Sequence, residues 1–420
     1  MKLAIVGGGS TYTPELVDGL VRMGDQLPLD ELWLVDPDPE RLDLITGMSR
    51  RMLSAAGHRA RVHATPDLVA GVSDADIVLF QLRVGGQAAR HGDETWPHVV
   101  HCIGQETTGP GGFAKALRTV PIILEAAEAV RRYAKPDAWI IDFTNPVGIV
   151  TRALLQEGHH AVGLCNAAIG FQRTFARLLE VDPSRIELRH VGLNHLTWER
   201  EALLDGADVL PRLLRDYGEK FSSDMGLPHK VLELLGQLPS YYLRYYYSHD
   251  RVLEEQLQET QTRAEAVMDV ERELLALYAD PTVTTKPDAL ARRGGAFYSE
   301  AAIDLMASLN TDRGDVQVVN LSNNGSLPFL PDDHVIEVSA RVTAGGVEAL
   351  PVEQLPDGQR ALISAVAGYE RLALDAAIHG GRDRVLRAMQ AHPLVLQYDR
   401  AEALTDLLIS NNSQYLPWAR

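Results

Sequence analysis

Residues 1–14 read MKLAIVGGGSTYTP. An apolar run, Leu3 to Val6, ends directly in Gly7, Gly8 and Gly9, and Pro14 follows soon after. A buried strand that turns sharply through glycines into a helix is how doubly wound α/β sheets begin. Glycine lets the backbone turn tightly and lets a pyrophosphate approach a helix N-terminus. Pro14 suits a first helical turn, where its missing N–H is not needed. The usual G-x-G-x-x-G pattern is broken, because Tyr12 stands where the last glycine belongs. That departure predicts looser packing of the first helix on the sheet, with Ser10 and Thr11 free to meet phosphate.

The strand–helix alternation continues. ELWLVDPD (31–38) reads as a second strand, PERLDLITGMSRRMLSAAG as a helix closed by Gly57, and ADIVLFQLRVGG and DAWIIDFTNP as further strands. The apolar runs are nearly continuous, as in parallel strands covered on both faces. Asp36 ends the second strand, where an acid accepts hydrogen bonds from a ribose diol and disfavours the extra phosphate of NADP. The plainer reading is a tight turn at Gly7–Gly9 with Asp36 capping the next helix. After about Thr197 the pattern becomes mixed. Residues 256–280 read as one long helix with Val267, Val270, Leu274 and Leu277 on a face. Residues 314–342 read as two strands about a turn at Asn323, Asn324 and Gly325, the tail from Gln359 as mostly helical, and Gly218 to His229 as a loop. The expected architecture is a Rossmann-type domain, 1–196, followed by a mixed α+β domain, 197–420.

The chain has 420 residues and a formal net charge of -17 without a basic stretch, which argues against a nucleic-acid partner. Its two cysteines, Cys102 and Cys165, make no disulfide framework and suggest a reducing compartment. No leader precedes Leu3 and no apolar run suits a bilayer, so a cytoplasmic protein without a membrane partner is expected.

Several polar segments compete for function. GLCNAAIG carries Cys165 and VGLNHLTW carries His195, a thiolate and imidazole pair suited to borderline-soft divalent metals, though on spacing alone a buried cysteine and a core histidine explain them as well. RVGGQAARHGDE offers Arg83 and Arg90. IGQETTGPGG (103–112) packs Gln105, Glu106 and small residues into what reads as a non-helical loop. Asn145 lies at the carboxyl end of a predicted strand, where open sheets bind ligands. LPSYYLRYYYSHD holds five tyrosines, and ARRGGAFYSE holds Arg292 and Arg293 beside glycines.

Taken in order, VGGGSTYTPEL, VDPDPERL, RVGGQAARHGDE, IGQETTGPGG, DFTNPVGIVT, GLCN, GLNHLTW, LPSYYLRYYY and RRGGAFYSEAA resemble glycoside hydrolase family 4 over nearly the whole chain, nearest to its 6-phospho-beta-glucosidases. The resemblance implies a fold similar to lactate and malate dehydrogenases, including a C-terminal domain like theirs, and a glycine turn that lacks the last glycine. It also implies NAD and a divalent metal, usually Mn2+, as cofactors. In that chemistry hydride leaves sugar C3, the C2 proton goes to a tyrosine, the C1 substituent is eliminated, water adds, and the hydride returns; such glycosidases are an exception to the two-carboxylate rule. Carried onto this chain, NAD falls to Gly7, Gly8, Gly9, Ser10, Thr11 and Asp36. Metal falls to Cys165 and His195, and the base to Tyr242, with Tyr241 as runner-up. Arg90, Asn145, Asn166, Arg293 and Glu106 fall at the substrate, a phosphorylated disaccharide or aryl glycoside. Asn166 stands where members acting on alpha-linked sugars commonly have aspartate, which favours a beta linkage and leaves the acid open, with Glu106 or a water as candidates. A homodimer or homotetramer is expected. The competing readings are an alpha-linked or unphosphorylated glycoside, a malate-type 2-hydroxy-acid dehydrogenase, and a non-catalytic NAD-binding regulator.

Overall fold

The computed structural model describes residues 1–295 and 297–419. Its strands are β1 (Lys2–Val6), β2 (Glu31–Val35), β3 (Arg61–Thr65), β4 (Ile77–Phe80), β5 (Trp139–Asp142), β6 (Ala161–Gly163), β7 (Ile186–Leu193), β8 (Leu196–Leu204), β9 (Ala207–Asp208), β10 (Leu238–Pro239), β11 (Val316–Ser322), β12 (Val335–Thr343) and β13 (Gly346–Ala349). All belong to one sheet. Its first part runs β3-β2-β1-β4-β5-β6 with every neighbour parallel. This is the doubly wound order, whose direction switches between β1 and β4, and ligands of such sheets bind beyond the carboxyl ends there. At Asn320 and Gly163 the sheet turns antiparallel and continues through β11, β12, β7, β8 and β10.

Both faces of the parallel part are covered, which accounts for the continuous apolar runs. Ala4, Val6, Val78 and Phe80 face a core with Phe113, Leu117 and Val120. Leu3, Ile5 and Leu79 face the opposite core with Leu16, Val17, Ile45 and Ile303. The period-2 alternation of β1 therefore distributes one strand between two cores. Among the described residues no helix is long and apolar enough to cross a membrane.

Local chemistry redraws three of the expected boundaries. The GPGG of 109–112 is helical after all: it forms the first turn of the helix Gly109–Tyr133, with Pro110 where no N–H is needed. Its glycines are required by contact, since a Cβ at Gly111 would lie 2.4 Å from the Asp93 and Gln105 carbonyl oxygens. The single helix expected over 256–280 is two, His249–Gln258 and Arg263–Ala279, because Thr262 and Glu265 form a reciprocal capping box that starts the second. Residues 218–229 are not a loop. They complete the helix Leu210–Met225, ended by Gly226 at φ +63°, and begin the helix His229–Leu235. Leu213, Phe221, Met225 and Leu227 are buried in one cluster, and this tertiary burial outweighs the polar look of the segment.

A buried ion pair ties the last long helix to the middle of the chain. Arg118 gives Asp93 two bonds, at 2.9 and 2.6 Å, and Asn412 a third at 2.6 Å. Both charged side chains are almost wholly buried. Arg118→Ala leaves Asp93 buried and unpaired and is expected to lower the urea-unfolding free energy by about 3–5 kcal/mol. The joint replacement Arg118→Met/Asp93→Leu is expected to recover most of that loss in the same measurement.

Candidate active site

The nucleotide end is built by close backbone approach. Gly7 adopts φ +91°, and a Cβ there would lie 2.8 Å from the Gln81 carbonyl oxygen; one at Gly8 would lie 2.8 Å from Leu34 Cα. The turn is thus pressed between β2 and β4, and the helix Thr13–Arg22 follows with Pro14 in its first turn. Asp36 accepts the Gly9 N–H at 3.0 Å and the Asp38 N–H at 3.0 Å. It does not cap the next helix. Asp38 does, accepting from the N–H groups of Glu40 and Arg41. Burial raises the Asp36 carboxyl above its usual range, with those two N–H bonds opposing.

Two expectations drawn from Tyr12 are corrected. The first helix is not loosely packed: the Tyr12 ring is buried, stands edge-on to Tyr298 at 4.9 Å, and its hydroxyl donates to the Gly295 carbonyl. The Thr11 hydroxyl is not free for phosphate. It is fully buried, donates to Glu271 at 3.1 Å and accepts from Arg293 Nε at 2.7 Å. Ser10 is only half buried and accepts the Tyr12 N–H at 3.2 Å. Arg293 also meets Glu271 at 3.1 Å and lies over the Tyr12 ring, so it stands beside the glycine turn.

A second centre gathers Cys165, His195 and Tyr242. Cys165 follows β6, and its sulfur accepts from the N–H groups of Ala167 and Asn166 at the start of the helix Ala167–Leu179, and from the Asn194 side chain. Such N–H groups favour a thiolate. Burial nevertheless pushes the thiol up to about 12, with the Glu337 charge adding to it. A nearby cation would reverse that balance. His195 sits in the β7–β8 turn at φ +64°, and Gly192 lets the strands close there, since a Cβ would meet the Leu196 carbonyl oxygen at 2.1 Å. Burial lowers His195 to about 4, so its ring is neutral at pH 7. The tautomer follows from its partners. Gln105 Oε1 accepts the N–H groups of Thr107 and Thr108, so it is the oxygen, and Thr107 Oγ1 gives it its single proton at 2.9 Å. Thr107 Oγ1 can then only accept from His195 Nδ1–H, at 2.9 Å. The lone pair is on Nε2, as a metal-binding imidazole requires. Sulfur and neutral nitrogen therefore fit a divalent cation. Among the described residues no group of three or more His, Cys, Asp or Glu side chains is so arranged.

Tyr242 stacks on the His195 ring, with centroids 3.5 Å apart and planes 7° from parallel. Burial raises its hydroxyl pKa well above 10, Cys165 adds to the rise, and Arg90 opposes it. Tyr241 instead is 44% exposed and accepts from Arg244 at 2.9 Å, which separates the two candidates by position.

Glu106 lies in a nest of cations: Arg83, Lys115 at 2.7 Å and Arg90 at 3.3 Å. Burial would raise its carboxyl, but the three cations outweigh this and hold it well below the usual range. Glu106 is thus held as a carboxylate by its three cations. Lys115 is lowered to about 7 by burial and by Arg83. Arg90 also bonds Glu94 at 2.7 Å, and Glu94 accepts the Ala264 N–H at 2.8 Å. Asn145 follows β5 with a buried Oδ1 that has no partner among the described residues. Asn166 is the residue before the helix Ala167–Leu179.

Sequence reasoning missed Lys115, Gln105 with Thr107 as a pair, Glu271, and a buried triad one strand away. In the triad His190 Nδ1 meets Glu199 at 2.6 Å and its Nε2 meets Glu337 at 3.0 Å. The available signal was charge inside apolar strand runs, as in V-I-E-V around Glu337.

A nucleotide-type sheet joined to a thiol, a neutral imidazole and a stacked tyrosine defines the class, and the chain belongs to glycosyl hydrolase family 4. Residues 2–181 match the family 4 glycosyl hydrolase model and residues 190–395 its C-terminal domain. A probable 6-phospho-beta-glucosidase of Bacillus subtilis (strain 168) is 40% identical over 431 residues, covering 99% of this chain and 97% of that one. The 6-phospho-beta-glucosidase of Thermotoga maritima is 34% identical, and its structure with NAD and glucose-6-phosphate matches at a TM-score of 0.93 over 99% of each chain. The same enzyme solved with manganese, NAD+ and glucose-6-phosphate matches at 0.91 over the same shares. Malate dehydrogenase from Salinibacter ruber, 18% identical, shares the fold at 0.54 over 91% of this chain and 99% of that one.

Burial alone would lower His190, but Glu199 and Glu337 outweigh this and raise it from 6.5 to about 10. The folded protein then holds an extra proton between those values. The triad's stabilisation is complete below pH 6.5 and is lost as pH rises toward about 10. Lys115, lowered from 10.5 to about 7, acts in the opposite sense over its own window. The measure is therefore a difference: wild type minus His190→Gln/Glu199→Gln in urea-unfolding free energy. It is expected to shrink between pH 6.5 and 10.

Proposed function

We propose that this chain hydrolyses 6-phospho-beta-glucosides to glucose 6-phosphate and an aglycone, using NAD and a divalent cation such as Mn2+. The observation that carries the reading is the convergence of Cys165, neutral His195 and half-buried Tyr242 in a family member whose relatives are 6-phospho-beta-glucosidases. The glycine turn and Asp36 fit the dinucleotide, and Cys165 Sγ with His195 Nε2 fit the cation. When bound, NAD supplies a hydride acceptor and donor for sugar C3, and the cation a Lewis acid for the C2 and C3 oxygens.

The chain's own part is positioning and proton handling. Tyr242, fixed flat against His195, takes the C2 proton. Thr107 and Gln105 hold the imidazole in one tautomer. Asn145 brings an unpartnered buried acceptor to the substrate, which binds with Arg90, Asn166 and Arg293. Glu106 is a permanent carboxylate that spreads Arg83, Arg90 and Lys115 around one side of the pocket. Asn166, an amide, gives no acid at the position where alpha-acting members place one, which supports the beta linkage. A phosphorylated substrate and a thiolate ligand suit a reducing cytoplasm, and a homodimer or homotetramer is the expected assembly.

The test is a panel of aryl glucosides, alpha and beta, phosphorylated and plain, assayed with NAD+, Mn2+ and a thiol. The 6-phospho-beta compound is expected to turn over at least about a hundredfold faster than the others, since an unpaired buried cation costs a few kcal/mol. In D2O the released sugar phosphate should carry deuterium at C2 and none at C3. Tyr242→Phe should slow turnover by about a hundred- to ten-thousandfold, while Tyr241→Phe stays near wild type. Equal rates on the phosphorylated and plain glucosides, or a product unlabelled at C2, would overturn the assignment.

A further inference from the structure

The triad of His190, Glu199 and Glu337 has no place in the reaction just described. Its three side chains are 0–1% exposed in the middle of the antiparallel sheet, on β7, β8 and β12. Burying two carboxylates and an imidazolium is expensive, and well-packed apolar residues of similar volume are generally at least as stabilising. Stability therefore does not explain them. Their connections do. The second oxygen of Glu337 accepts from Asn194 Nδ2 at 2.7 Å and from Asn320 Nδ2 at 2.8 Å. Asn194 in turn bonds the Cys165 sulfur and directly precedes His195. A continuous path of hydrogen bonds thus runs from Glu199 through His190, Glu337 and Asn194 to Cys165.

The charge count gives the path a purpose. With His190 protonated between two carboxylates, the triad holds one net negative charge, and a Cys165 thiolate adds a second. A divalent cation neutralises both within a medium where uncompensated charge is costly. The Glu337 charge bears on Cys165 and on His195 alike.

We propose that Glu337, held by His190 and Glu199, is a positioning residue that sets the divalent-cation affinity of Cys165 and His195, by aiming Asn194 at the thiolate and by supplying the buried negative charge that a dication requires. This rests on the assignment of Cys165 and His195 as the cation's ligands. It makes the strand charges part of the cation site although they touch neither cation nor substrate, as outer partners of metal ligands commonly do.

The test is equilibrium binding of Mn2+ to the NAD+-loaded protein, with Co2+ as a second probe whose thiolate-to-metal absorption reports Cys165. Glu337→Gln preserves shape and removes the charge, and is expected to weaken Mn2+ binding by about 10- to 100-fold and to diminish the Co2+ band. Glu337→Asp keeps the charge and is expected to recover most of the affinity. Glu199→Gln leaves Glu337 and Asn194 in place and, at a pH where imidazole NMR shows His190 still protonated beside Glu337, cancels the net charge, so it tests the electrostatic part should Glu337→Gln not fold. NAD+ affinity should be unchanged in all three. A structural role alone would lower the unfolding midpoint and leave Mn2+ affinity untouched. Wild-type affinity in both Glu337→Gln and Glu199→Gln, with binding lost in Cys165→Ser, overturns this inference and spares the ligand assignment. Mn2+ binding that survives Cys165→Ser overturns both.

Discussion

The site depends on backbone pressed against backbone at one place. A Cβ at Gly104 would fall 1.9 Å from the Glu94 carbonyl oxygen, and one at Gly112 would fall 2.5 Å from the Thr107 carbonyl. Residues 103–108 are thus packed against the end of the helix Gly86–Thr95 and the start of the helix Gly109–Tyr133, and the two helices meet beside them, since a Cβ at Gly111 would lie 2.4 Å from the Asp93 carbonyl oxygen. That clamp delivers three side chains with distinct tasks. Gln105 and Thr107 set the His195 tautomer, and Glu106 collects Arg83, Arg90 and Lys115. Any side chain at these glycines would part the helices, and the cation nest and the imidazole would lose their registration together.

The two buried charge clusters are opposite in sign. On the side of the clamped loop, three cations surround one carboxylate, with Glu94 sharing Arg90. On the strand side, two carboxylates surround one histidine. Cys165, His195 and Tyr242 are influenced from both directions: Glu337 and Glu106 bear on His195, and Arg90 bears on Tyr242. A protein that needed only stability would leave neither cluster uncompensated in its interior. A cluster left short of one sign of charge in the interior favours a ligand that brings that sign.

How much of this was legible in the sequence depends on whether the deciding interaction was local. Strand, glycine turn and Asp36 are adjacent in the chain and follow backbone rules, so the doubly wound half could be read directly. The capping box at Thr262 and Glu265 was also local, yet the apolar face of Val267, Val270 and Leu274 masked it, and two helices read as one. Thr11 looked free because its partners, Glu271 and Arg293, lie far along the chain. The segment 218–229 looked like a loop because its polar residues outnumber Phe221, Met225 and Leu227, which are what the fold buries. The triad was invisible for the same reason at greater distance: His190, Glu199 and Glu337 meet only once three strands are in register, with Glu337 paired to Gly192 across β12 and β7 and His190 to Glu199 across β7 and β8.

The two candidate tyrosines show what the fold adds to a motif. Adjacent tyrosines in a short helical turn point in different directions, so Tyr241 and Tyr242 cannot both face the site. Tyr241 is turned to solvent and held by Arg244, which also meets Glu255. Tyr242 is turned inward, where the flat His195 ring fixes its plane and Arg90 lies close enough to favour its anion. The same Arg90 is tied to Glu94 and Glu106, so its position is set by the clamped loop and by the N–H of Ala264, not by the tyrosine. Arg90 thus opposes the rise that burial and Cys165 impose on the Tyr242 hydroxyl, from a place that is settled before any ligand arrives.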